Sequence, residues 1–203
     1  LSSNHLLGFD EDGATVVVNY HVHEEKAREV AAGIQASGGA AAVIQADMSR
    51  VADAQRLVQE TVQQFHRLDI LVNNAGRFIP KKLVETTETE FDAILALNAK
   101  GPYFAMQAAA KVLSDGGRIV NISSALTHLK FPGATAHLGS KAALEQYGKG
   151  LAQELAPRAR GILAGGGITV IPDFVPRGRM EEIFAATDIY VLPAARVHVV
   201  SLL

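Results

Sequence analysis

The segment LDILVNNAG, residues 68–76, decides how the rest of this chain is organised. Its apolar run at 70–72 is too short for a helix and stops at the polar turn 73–76. This pattern is typical of a strand buried on both faces of a parallel sheet. Because ligands bind at the carboxyl ends of the strands in open α/β sheets, we expect the turn 73–76 to lie at a binding site. Read alone, it fits an ordinary Asn-Gly-type turn equally well.

Strand and helix patterns alternate on both sides of this segment. Thr87 and Glu90 form a T-x-x-E capping box that starts a long helix, and Gly101 with Pro102 should kink that helix near its middle. Ser49 is the predicted N-cap of another helix. Strands are predicted at 14–20, 41–45, 118–122 and 168–171, and helices at 24–35, 49–66 and 136–155. The alternation predicts an α/β fold, a Rossmann-like doubly wound parallel sheet with helices on both faces.

Composition limits the class of protein. With 203 residues, 48% of them hydrophobic and 20% charged, the chain can bury one substantial core. A formal net charge of −2 gives no basic footprint, so no nucleic acid is expected as a partner. The absence of cysteine excludes disulfides, thiolate metal sites and a cysteine nucleophile, and no metal site is predicted. The absence of cysteine is consistent with the cytoplasmic location that we expect. No apolar run approaches membrane-spanning length, so no membrane partner is expected.

Three further signals follow the turn 73–76 in a fixed order. They are Asn98 in the stretch LNAKG, Ser124 at the end of IVNISS, and Lys141 early in the next predicted helix. In this order and spacing, over residues 12–157, the chain resembles the short-chain dehydrogenase/reductase family, in the branch that includes 3-oxoacyl-carrier-protein reductases. The resemblance implies a Rossmann-like fold, a nicotinamide dinucleotide, and hydride transfer between that cofactor and a small-molecule carbonyl or alcohol.

The resemblance implies a cofactor site at the carboxyl ends of the strands. Gly76, which has no side chain, would let the backbone approach the ribose of the cofactor closely. Asp47 would accept a hydrogen bond from the adenine amine. Tyr20 stands where NAD-preferring relatives carry an acidic residue for the ribose 2′-hydroxyl, so NADP is the expected cofactor and NAD the alternative. The residues expected along the cofactor are Tyr20, Asp47, Met48, Asn74, Ala75, Gly76 and Lys141.

The resemblance also implies three catalytic roles. Ser124 would hold the substrate oxygen, Lys141 would grip the nicotinamide ribose and lower the pKa of the proton donor, and Asn98 would hold a water that links Lys141 to solvent. Each residue also has an ordinary structural explanation. Asn98 fits an amide that bonds groups freed by a helix kink, Ser124 fits a strand-end cap, and Lys141 fits a solvated surface lysine.

The proton donor departs from the family pattern. The family places a tyrosine four residues before the lysine and thirteen after the serine, and that position is His137 here. Tyr147 cannot replace it, because it lies six residues past Lys141 on the far side of the helix. A neutral imidazole can hydrogen-bond a carbonyl but gives up its only proton poorly, and cationic Lys141 one turn away disfavours an imidazolium. His137 is therefore predicted as a damaged catalytic group, or as a hydrogen-bonding residue without catalytic duty.

The start of the chain departs from the family pattern as well. The family opens with a strand and a Gly-rich turn whose amides meet the cofactor pyrophosphate. Residues 1–11 contain one glycine, Gly8, so the first strand and the Gly-rich turn are expected to be missing. A neighbouring strand would then become an exposed edge of the sheet. NADPH would bind in the millimolar range or not at all, because charge-assisted hydrogen bonds are lost with the turn.

The tail is the third departure, and it divides the chain into an incomplete Rossmann-like domain at 1–157 and an atypical segment at 158–203. A helix is predicted at 180–187 and a strand at 189–192. Residues 175–193 resemble a piece of the nucleotide-sugar-binding half of two-domain glycosyltransferases. Three functions stay open: an NAD(P)(H)-dependent carbonyl–alcohol oxidoreductase with impaired chemistry, a non-catalytic relative that acts in oligomerisation or regulation, and a glycosyltransferase fragment.

An oligomer is the expected assembly. The resemblance suggests a homodimer or homotetramer built on the helices at 87–114 and 136–155. Apolar side chains on the first of these helices exceed what one sheet face needs. They are Phe91, Ile94, Leu95 and Phe104.

Overall fold

A sheet of six parallel strands forms the centre of the computed structural model, which describes residues 14–128, 131–155, 169–171 and 197–201. The strands are β1 (Thr15–Tyr20), β2 (Ala40–Gln45), β3 (Ile70–Asn73), β4 (Arg118–Ile122), β5 (Thr169–Ile171) and β6 (Val197–Ser201). They lie in the order β2-β1-β6-β3-β4-β5, and each neighbouring pair is parallel. The predicted parallel sheet is confirmed, including the strand at 169–171.

Helices follow the strands in the alternation that the sequence predicts. Within the described residues the α-helices are α1 (Glu24–Ala36), α2 (Val51–Phe65), α3 (Glu88–Leu95), α4 (Gly101–Val112) and α5 (Thr135–Leu155). A π-helical segment, Ala96–Lys100, joins α3 to α4, and short 3₁₀ turns occupy Leu83–Glu85 and Ala125–His128. None of the described helices combines the length and the hydropathy that crossing a bilayer requires.

Helices cover both faces of the sheet, and the alternation of strand side chains decides which helices each residue meets. On one face Val17, Leu71 and Ile119 pack with residues of α2, α4 and α5. On the other face the alternate strand residues pack against α1. Burial of each such side chain stabilises the fold by about 1.5–3 kcal/mol. β3 is buried along its whole length, as predicted for a strand covered on both sides.

The strand at the centre of the sheet comes from residues 197–201 and not from the start of the sequence. β6 pairs with β1 on one side and with β3 on the other, and Val199 lies beside both Val17 and Leu71. The expectation of an exposed edge here is therefore wrong: the end strands of the described sheet are β2 and β5. The physical reason is that a gap between two buried strands leaves backbone N–H and C=O groups unpaired, which favours any strand of the right direction.

The long helix predicted after Thr87 changes its winding at its middle. Its capping box is confirmed, since Glu90 donates its amide to the Thr87 hydroxyl and accepts from the Thr87 amide at 3.0 Å. The expected kink takes the form of the π-helical segment, which ends where Gly101 and Pro102 begin α4. Pro102 has no N–H to donate, so a carbonyl of the preceding turn loses its usual partner. Segments of this kind are frequent at functional sites.

Gly101 lets α4 meet the residues that follow β2. A Cβ at this position would lie 1.7 Å from the carbonyl oxygen of Met48. Any side chain here would therefore push the helix away from the backbone of Met48. The missing Cβ therefore allows a close approach between the start of α4 and the backbone of Met48.

Two predicted side-chain roles are wrong. Ser49 does not cap α2, which begins at Val51 after Arg50; its amide and hydroxyl instead bond the Asp47 carboxylate two residues earlier. Ile94 offers no surface to a partner, because it is only 1% exposed and lies in the core. The helix predicted at 180–187, the strand at 189–192 and the glycosyltransferase-like stretch at 175–193 lie outside the described residues.

Candidate active site

Buried asparagine amides tie the carboxyl ends of the strands together. Asn73 Nδ2 donates to Asn121 Oδ1 across β3 and β4 at 2.8 Å. Asn19 Nδ2 donates to the carbonyls of Ile44 and Ala46, both at 3.1 Å. These bonds satisfy polar groups where the ladder ends. They fix this edge of the sheet beneath the site.

A cleft of about 470 Å³ opens at this edge. The segments after β1, β2 and β3 form its walls, and the end of α3 with the π-helical segment closes one side. Of the expected cofactor residues it contains Asp47, Met48, Ala75 and Gly76, while Tyr20, Asn74 and Lys141 lie outside its lining. The lining residues are Asn19, His21, Val22, His23, Ala46, Asp47, Met48, Ser49, Ala75, Gly76, Arg77, Ala93, Ala96 and Leu97.

Asp47 is held as a hydrogen-bond acceptor at the wall of the cleft. Ser49 donates to Asp47 Oδ1 from its amide at 2.9 Å and from its hydroxyl at 2.7 Å. His21 Nε2 lies 3.6 Å from Asp47 Oδ2. Burial raises the pKa of Asp47, but the Ser49 hydrogen bonds, His21 and Arg50 outweigh it and hold the pKa below its usual 3.8. At neutral pH Asp47 is therefore a carboxylate, the form that accepts from an amino group.

Tyr20 lies beside the cleft. Desolvation and the neighbouring Glu24 carboxylate, which accepts a hydrogen bond from its hydroxyl, raise the pKa of Tyr20. Arg28 binds the same carboxylate through two nitrogens, at 2.6 and 2.8 Å. His21 and His23, which follow β1, line the cleft instead. Our sequence interpretation missed these two histidines, although a position directly after a buried strand was the available signal.

Asn98 joins the loop after β3 to α5. Its side chain is fully buried. Oδ1 accepts from the Arg77 amide at 2.7 Å, and Nδ2 donates to the Arg77 carbonyl and to Ser140 Oγ, each at 2.9 Å. The Asn98 side chain therefore bonds the loop after β3 and α5, and not the groups freed by the helix kink, as its structural explanation expected. Its expected role in holding a water stays a prediction.

His137 belongs to the same network. It is 6% exposed, and its Nδ1 lies 3.1 Å from the Arg77 carbonyl oxygen and 3.4 Å from Asn98 Nδ2. The imidazole packs against Phe78 with 5.0 Å between the ring centroids. The residue at the position of the family's tyrosine is therefore held inside the site. Tyr147, by contrast, is 38% exposed and packs against Tyr103.

Lys141 is buried and bonded, so its interpretation as a solvated surface lysine is wrong. It is 3% exposed, and its Nζ donates to the Ile122 carbonyl at the end of β4 at 2.7 Å. Gly76 faces the same ammonium, since a Cβ on Gly76 would lie 3.1 Å from Lys141 Nζ and 3.5 Å from Asn98 Oδ1. The structure thus brings Gly76, Asn98 and Lys141 together from three separate segments.

Ser124 lies just beyond β4 and is 2% exposed. Its Oγ accepts from the Leu126 amide at 3.3 Å, which fits the strand-end cap, and its role toward a substrate stays a prediction. The Thr127 hydroxyl lies 2.8 Å from the Ser124 carbonyl and 3.0 Å from Glu145 Oε1. Ser123 donates a short hydrogen bond to the same carboxylate. The turn that carries Ser124 is therefore anchored on α5.

Sequence interpretation missed Arg77, Ser140 and Glu145 as parts of the site. Arg77 takes part through its backbone, which no residue pattern reveals. Ser140 and Glu145 flank Lys141 on α5, and polar residues beside an expected catalytic lysine were the available signal. Their partners come from distant segments, so only the fold shows what they bind.

Comparison with known proteins gives the family. The chain matches the sequence model of the short chain dehydrogenase family over residues 6–170. It is 45% identical over 148 residues to an uncharacterized oxidoreductase of Methylorubrum extorquens, covering 73% of this chain but only 60% of the relative. It is 38% identical over 184 residues to the hydroxynaphthalene reductase-like protein Arp2 of Metarhizium majus, covering 84% of this chain and 69% of the relative.

Solved structures give the same result. A dehydrogenase/reductase from Sinorhizobium meliloti matches with a TM-score of 0.78 and 30% identity, over 96% of this chain and 87% of that one. A short chain dehydrogenase from Burkholderia cenocepacia, solved in complex with NADP, matches with a TM-score of 0.77 and 29% identity, over 97% and 90%. The chain belongs to the short-chain dehydrogenase/reductase family, and its Rossmann-like α/β fold is confirmed.

Proposed function

We propose that this chain is an NAD(P)(H)-dependent oxidoreductase that interconverts a carbonyl and an alcohol by hydride transfer. The observation that carries the proposal is the buried ammonium of Lys141, held by the Ile122 carbonyl at 2.7 Å and facing Gly76. A lysine is rarely buried unless its charge has partners. This one stands at the carboxyl ends of parallel strands, where open α/β sheets bind ligands. Membership of the family supports the same function.

The cleft fits part of a nicotinamide dinucleotide. Its volume of about 470 Å³ falls within the range of small-molecule pockets. Asp47 would accept from the adenine amine, with the Met48 amide beside it. The backbone of Asn74, Ala75 and Gly76 would lie along the ribose, because the absent Cβ of Gly76 keeps the space in front of Lys141 Nζ open. When bound, the cofactor supplies the hydride donor or acceptor.

NADP is the proposed cofactor, and NAD is the alternative. NADP carries an additional phosphate on the adenosine ribose, and His21 and His23 line the cleft after β1. Tyr20 presents no carboxylate to a 2′-hydroxyl, and the nearby Glu24 is occupied by Arg28. The NADP complex of the Burkholderia cenocepacia relative supports this choice.

Four side chains of the site would bind the substrate and the cofactor and transfer the proton. Ser124 would hold the substrate oxygen, Lys141 would bind the nicotinamide ribose, and His137 would handle the proton. Asn98 would keep the loop after β3 in place and hold a water near Lys141. Because a neutral imidazole is a poor acid, we propose that carbonyl reduction by this chain is slow.

We also propose a homodimer or homotetramer. Tyr103 on α4 is 46% exposed and packs edge-to-face against Tyr147 on α5, with 5.1 Å between the ring centroids. Phe91 on α3 is 44% exposed. Exposed aromatic residues of this kind are enriched at protein interfaces. Light scattering that shows only monomer at micromolar concentration would overturn this part of the proposal.

The proposed division of the chain at residue 157 has to account for the pairing of two strands that lie beyond it. β5 and β6 lie beyond residue 157, yet they pair with β4, β1 and β3. We therefore propose that the segment 158–203 completes the sheet of the first part and does not fold as a separate unit.

A titration followed by NADPH fluorescence tests the proposed function. We expect saturable binding in the millimolar range, because the described residues include no Gly-rich turn of the family type whose amides would meet the pyrophosphate. Gly76→Val should abolish binding, since its side chain would occupy the space beside Lys141 Nζ.

Gly139→Val is the matched control. A Cβ on Gly139 meets nothing within 4 Å, so this variant should bind NADPH as the wild type does. If the wild type binds neither NADPH nor NADH, the chain is better explained as a non-catalytic relative that acts in oligomerisation or regulation. A low-micromolar dissociation constant would show that another segment supplies the phosphate site.

A further inference from the structure

The side-chain amide of Asn98 has one orientation that satisfies its neighbours. The Arg77 amide lies 2.7 Å away and must face an acceptor, so the atom beside it is Oδ1. Nδ2 then faces the Arg77 carbonyl and Ser140 Oγ, each at 2.9 Å. Ser140 uses its own hydrogen on the His137 carbonyl at 2.7 Å, so toward Asn98 it can only accept. Both hydrogens of Asn98 Nδ2 are therefore taken.

This count of donors places the proton of His137. Its Nδ1 lies 3.4 Å from Asn98 Nδ2, which has no hydrogen left to give, and 3.1 Å from the Arg77 carbonyl oxygen. An unprotonated Nδ1 would set a lone pair against that oxygen without a hydrogen between them. Nδ1 must therefore carry the hydrogen. In the neutral ring the second nitrogen, Nε2, then holds the basic lone pair.

We infer that Asn98 and Ser140 are positioning residues that hold His137 as a proton acceptor at Nε2, so that this site favours alcohol oxidation over carbonyl reduction. The inference rests on the proposed function for the reaction itself, whereas the position of the proton follows from the contacts of Nδ1 with the Arg77 carbonyl and Asn98 Nδ2. A half-turn flip of the imidazole ring is disfavoured, because Phe78 packs against the ring and the Arg77 carbonyl oxygen bonds Nδ1.

Alcohol oxidation, the favoured direction, balances in atoms and electrons. The carbinol carbon gives its hydride to the oxidised nicotinamide dinucleotide, and the C–O single bond becomes a carbonyl as the O–H bond breaks. The hydroxyl proton goes to His137 Nε2, and the resulting imidazolium later releases it to solvent. Carbonyl reduction would need that proton on Nε2 beforehand. Cationic Lys141, one turn away on α5, disfavours such an imidazolium.

NMR of the ring nitrogens tests the proton position in the whole chain without any cofactor. The chain contains 7 histidines, and labelling them with ¹⁵N lets two-bond ¹H–¹⁵N correlations distinguish the two neutral tautomers. The signals that disappear in His137→Gln identify His137. We expect its neutral form to be protonated at Nδ1. A neutral form protonated at Nε2 would overturn the inference.

Ser140→Ala tests the positioning role. Without the hydroxyl, one hydrogen of Asn98 loses its acceptor, and His137 Nδ1 becomes the nearest replacement at 3.4 Å. Because an unpaired buried donor is costly, the tautomer ratio should move about tenfold toward protonation at Nε2. Ser140→Thr keeps a hydroxyl at this position and should restore the wild-type ratio. A folded Ser140→Ala protein with an unchanged ratio would overturn the role of Ser140.

Rates with cofactor separate this inference from the proposed function. At saturating NADP and a simple secondary alcohol, His137→Gln should lose about 10²–10⁴-fold in oxidation rate. Ser140→Ala should keep a fraction of the wild-type rate that follows its remaining Nδ1-protonated fraction. Unchanged oxidation in His137→Gln would overturn the base role of His137. A wild type protonated at Nδ1 that never binds NADP or NADPH would overturn the proposed function and leave the tautomer assignment intact.

Discussion

The site around Lys141 and the centre of the sheet are built in opposite ways. The site combines particular residue types, an asparagine, a histidine and a lysine, which lie between residues 76 and 141 and meet through side chains. The centre of the sheet combines β1 near the start of the sequence with β6 near its end through backbone pairing. Catalysis requires specific side chains at specific positions. A gap between two parallel strands, by contrast, can be filled by any strand that runs in the same direction as its neighbours.

Proline at the centre of the sheet should have the largest effect. Val199 in β6 pairs with strands on both sides, so its N–H has a partner whichever way it points. Val199→Pro removes that donor from a central strand, where proline is not tolerated. We expect loss of the cooperative melting transition, measured by circular dichroism.

Thr169→Pro is the control for this prediction. Thr169 is the first residue of β5, an end strand of the described sheet, where proline is tolerated best. It should melt near the wild-type temperature. Equal melting of the two proline variants would contradict the central position of β6.

Gly101→Ala should have the next largest effect, because Gly101 packs directly against the backbone of Met48, which follows β2. The new Cβ would lie 1.7 Å from the Met48 carbonyl oxygen. We expect a loss of about 3 kcal/mol or more in the free energy of unfolding, at the upper end of overpacking costs. Gly150→Ala on α5 adds a Cβ that meets nothing within 4 Å, so it should stabilise by about 0.5–1 kcal/mol. Urea unfolding of both variants checks the contrast, and equal midpoints would contradict it.

His137→Tyr should change the chemistry and leave the sheet unaltered. A tyrosine hydroxyl near Lys141 is a better proton donor for carbonyl reduction than an imidazole that holds its hydrogen on Nδ1. At saturating NADPH we expect reduction of a simple carbonyl to rise at least about tenfold, which corresponds to about 1.4 kcal/mol of barrier.

His137→Ala and Lys141→Ala serve as controls in the same assay. Both should stay at or below the wild-type rate of reduction. If His137→Tyr brings no gain while His137→Ala abolishes a measurable native rate, histidine is the working acid and the site is not damaged.

Glu90→Gln should have the smallest effect, because it lies away from both regions. The Lys81 ammonium, at 2.6 Å, and the Thr87 amide and hydroxyl lower the pKa of Glu90 from its usual 4.5 to about 2. A pKa lowered by folding means that the charged form stabilises the native state above pH 4.5. That contribution is lost as the pH falls toward about 2. The melting temperature of Glu90→Gln should lie slightly below wild type at pH 7, and the gap should narrow between these pH values. A gap that is constant with pH would contradict the assignment.

The two regions also differ in what the sequence could predict. The site signals are local: a buried strand followed by NNAG, and a lysine at fixed spacing from a serine, are enough to indicate Gly76, Ser124 and Lys141. The proton position on His137 could not be predicted from the sequence. It depends on contacts with the backbone of Arg77 and with Ser140, and only the fold brings these groups together.

The central strand could not be predicted for a related reason. The short apolar run VHVVS at 197–201 fits a strand anywhere in a sheet. Its pairing with β1 depends on closing a connection of well over a hundred residues, and no local pattern records that. The sequence showed that residues 1–11 depart from the family pattern, but it did not show which strand lies between β1 and β3.

Isotope tracing of hydride transfer tests the central claim most directly. The chain is incubated with saturating NADP and a secondary alcohol that carries deuterium on its carbinol carbon, and the nicotinamide product is analysed by mass spectrometry. We expect deuterium in the reduced cofactor, formed faster than the reverse transfer from deuterated NADPH to the matching ketone, and lost in Lys141→Ala. Bound cofactor with no deuterium transfer in either direction would contradict an oxidoreductase function for this chain.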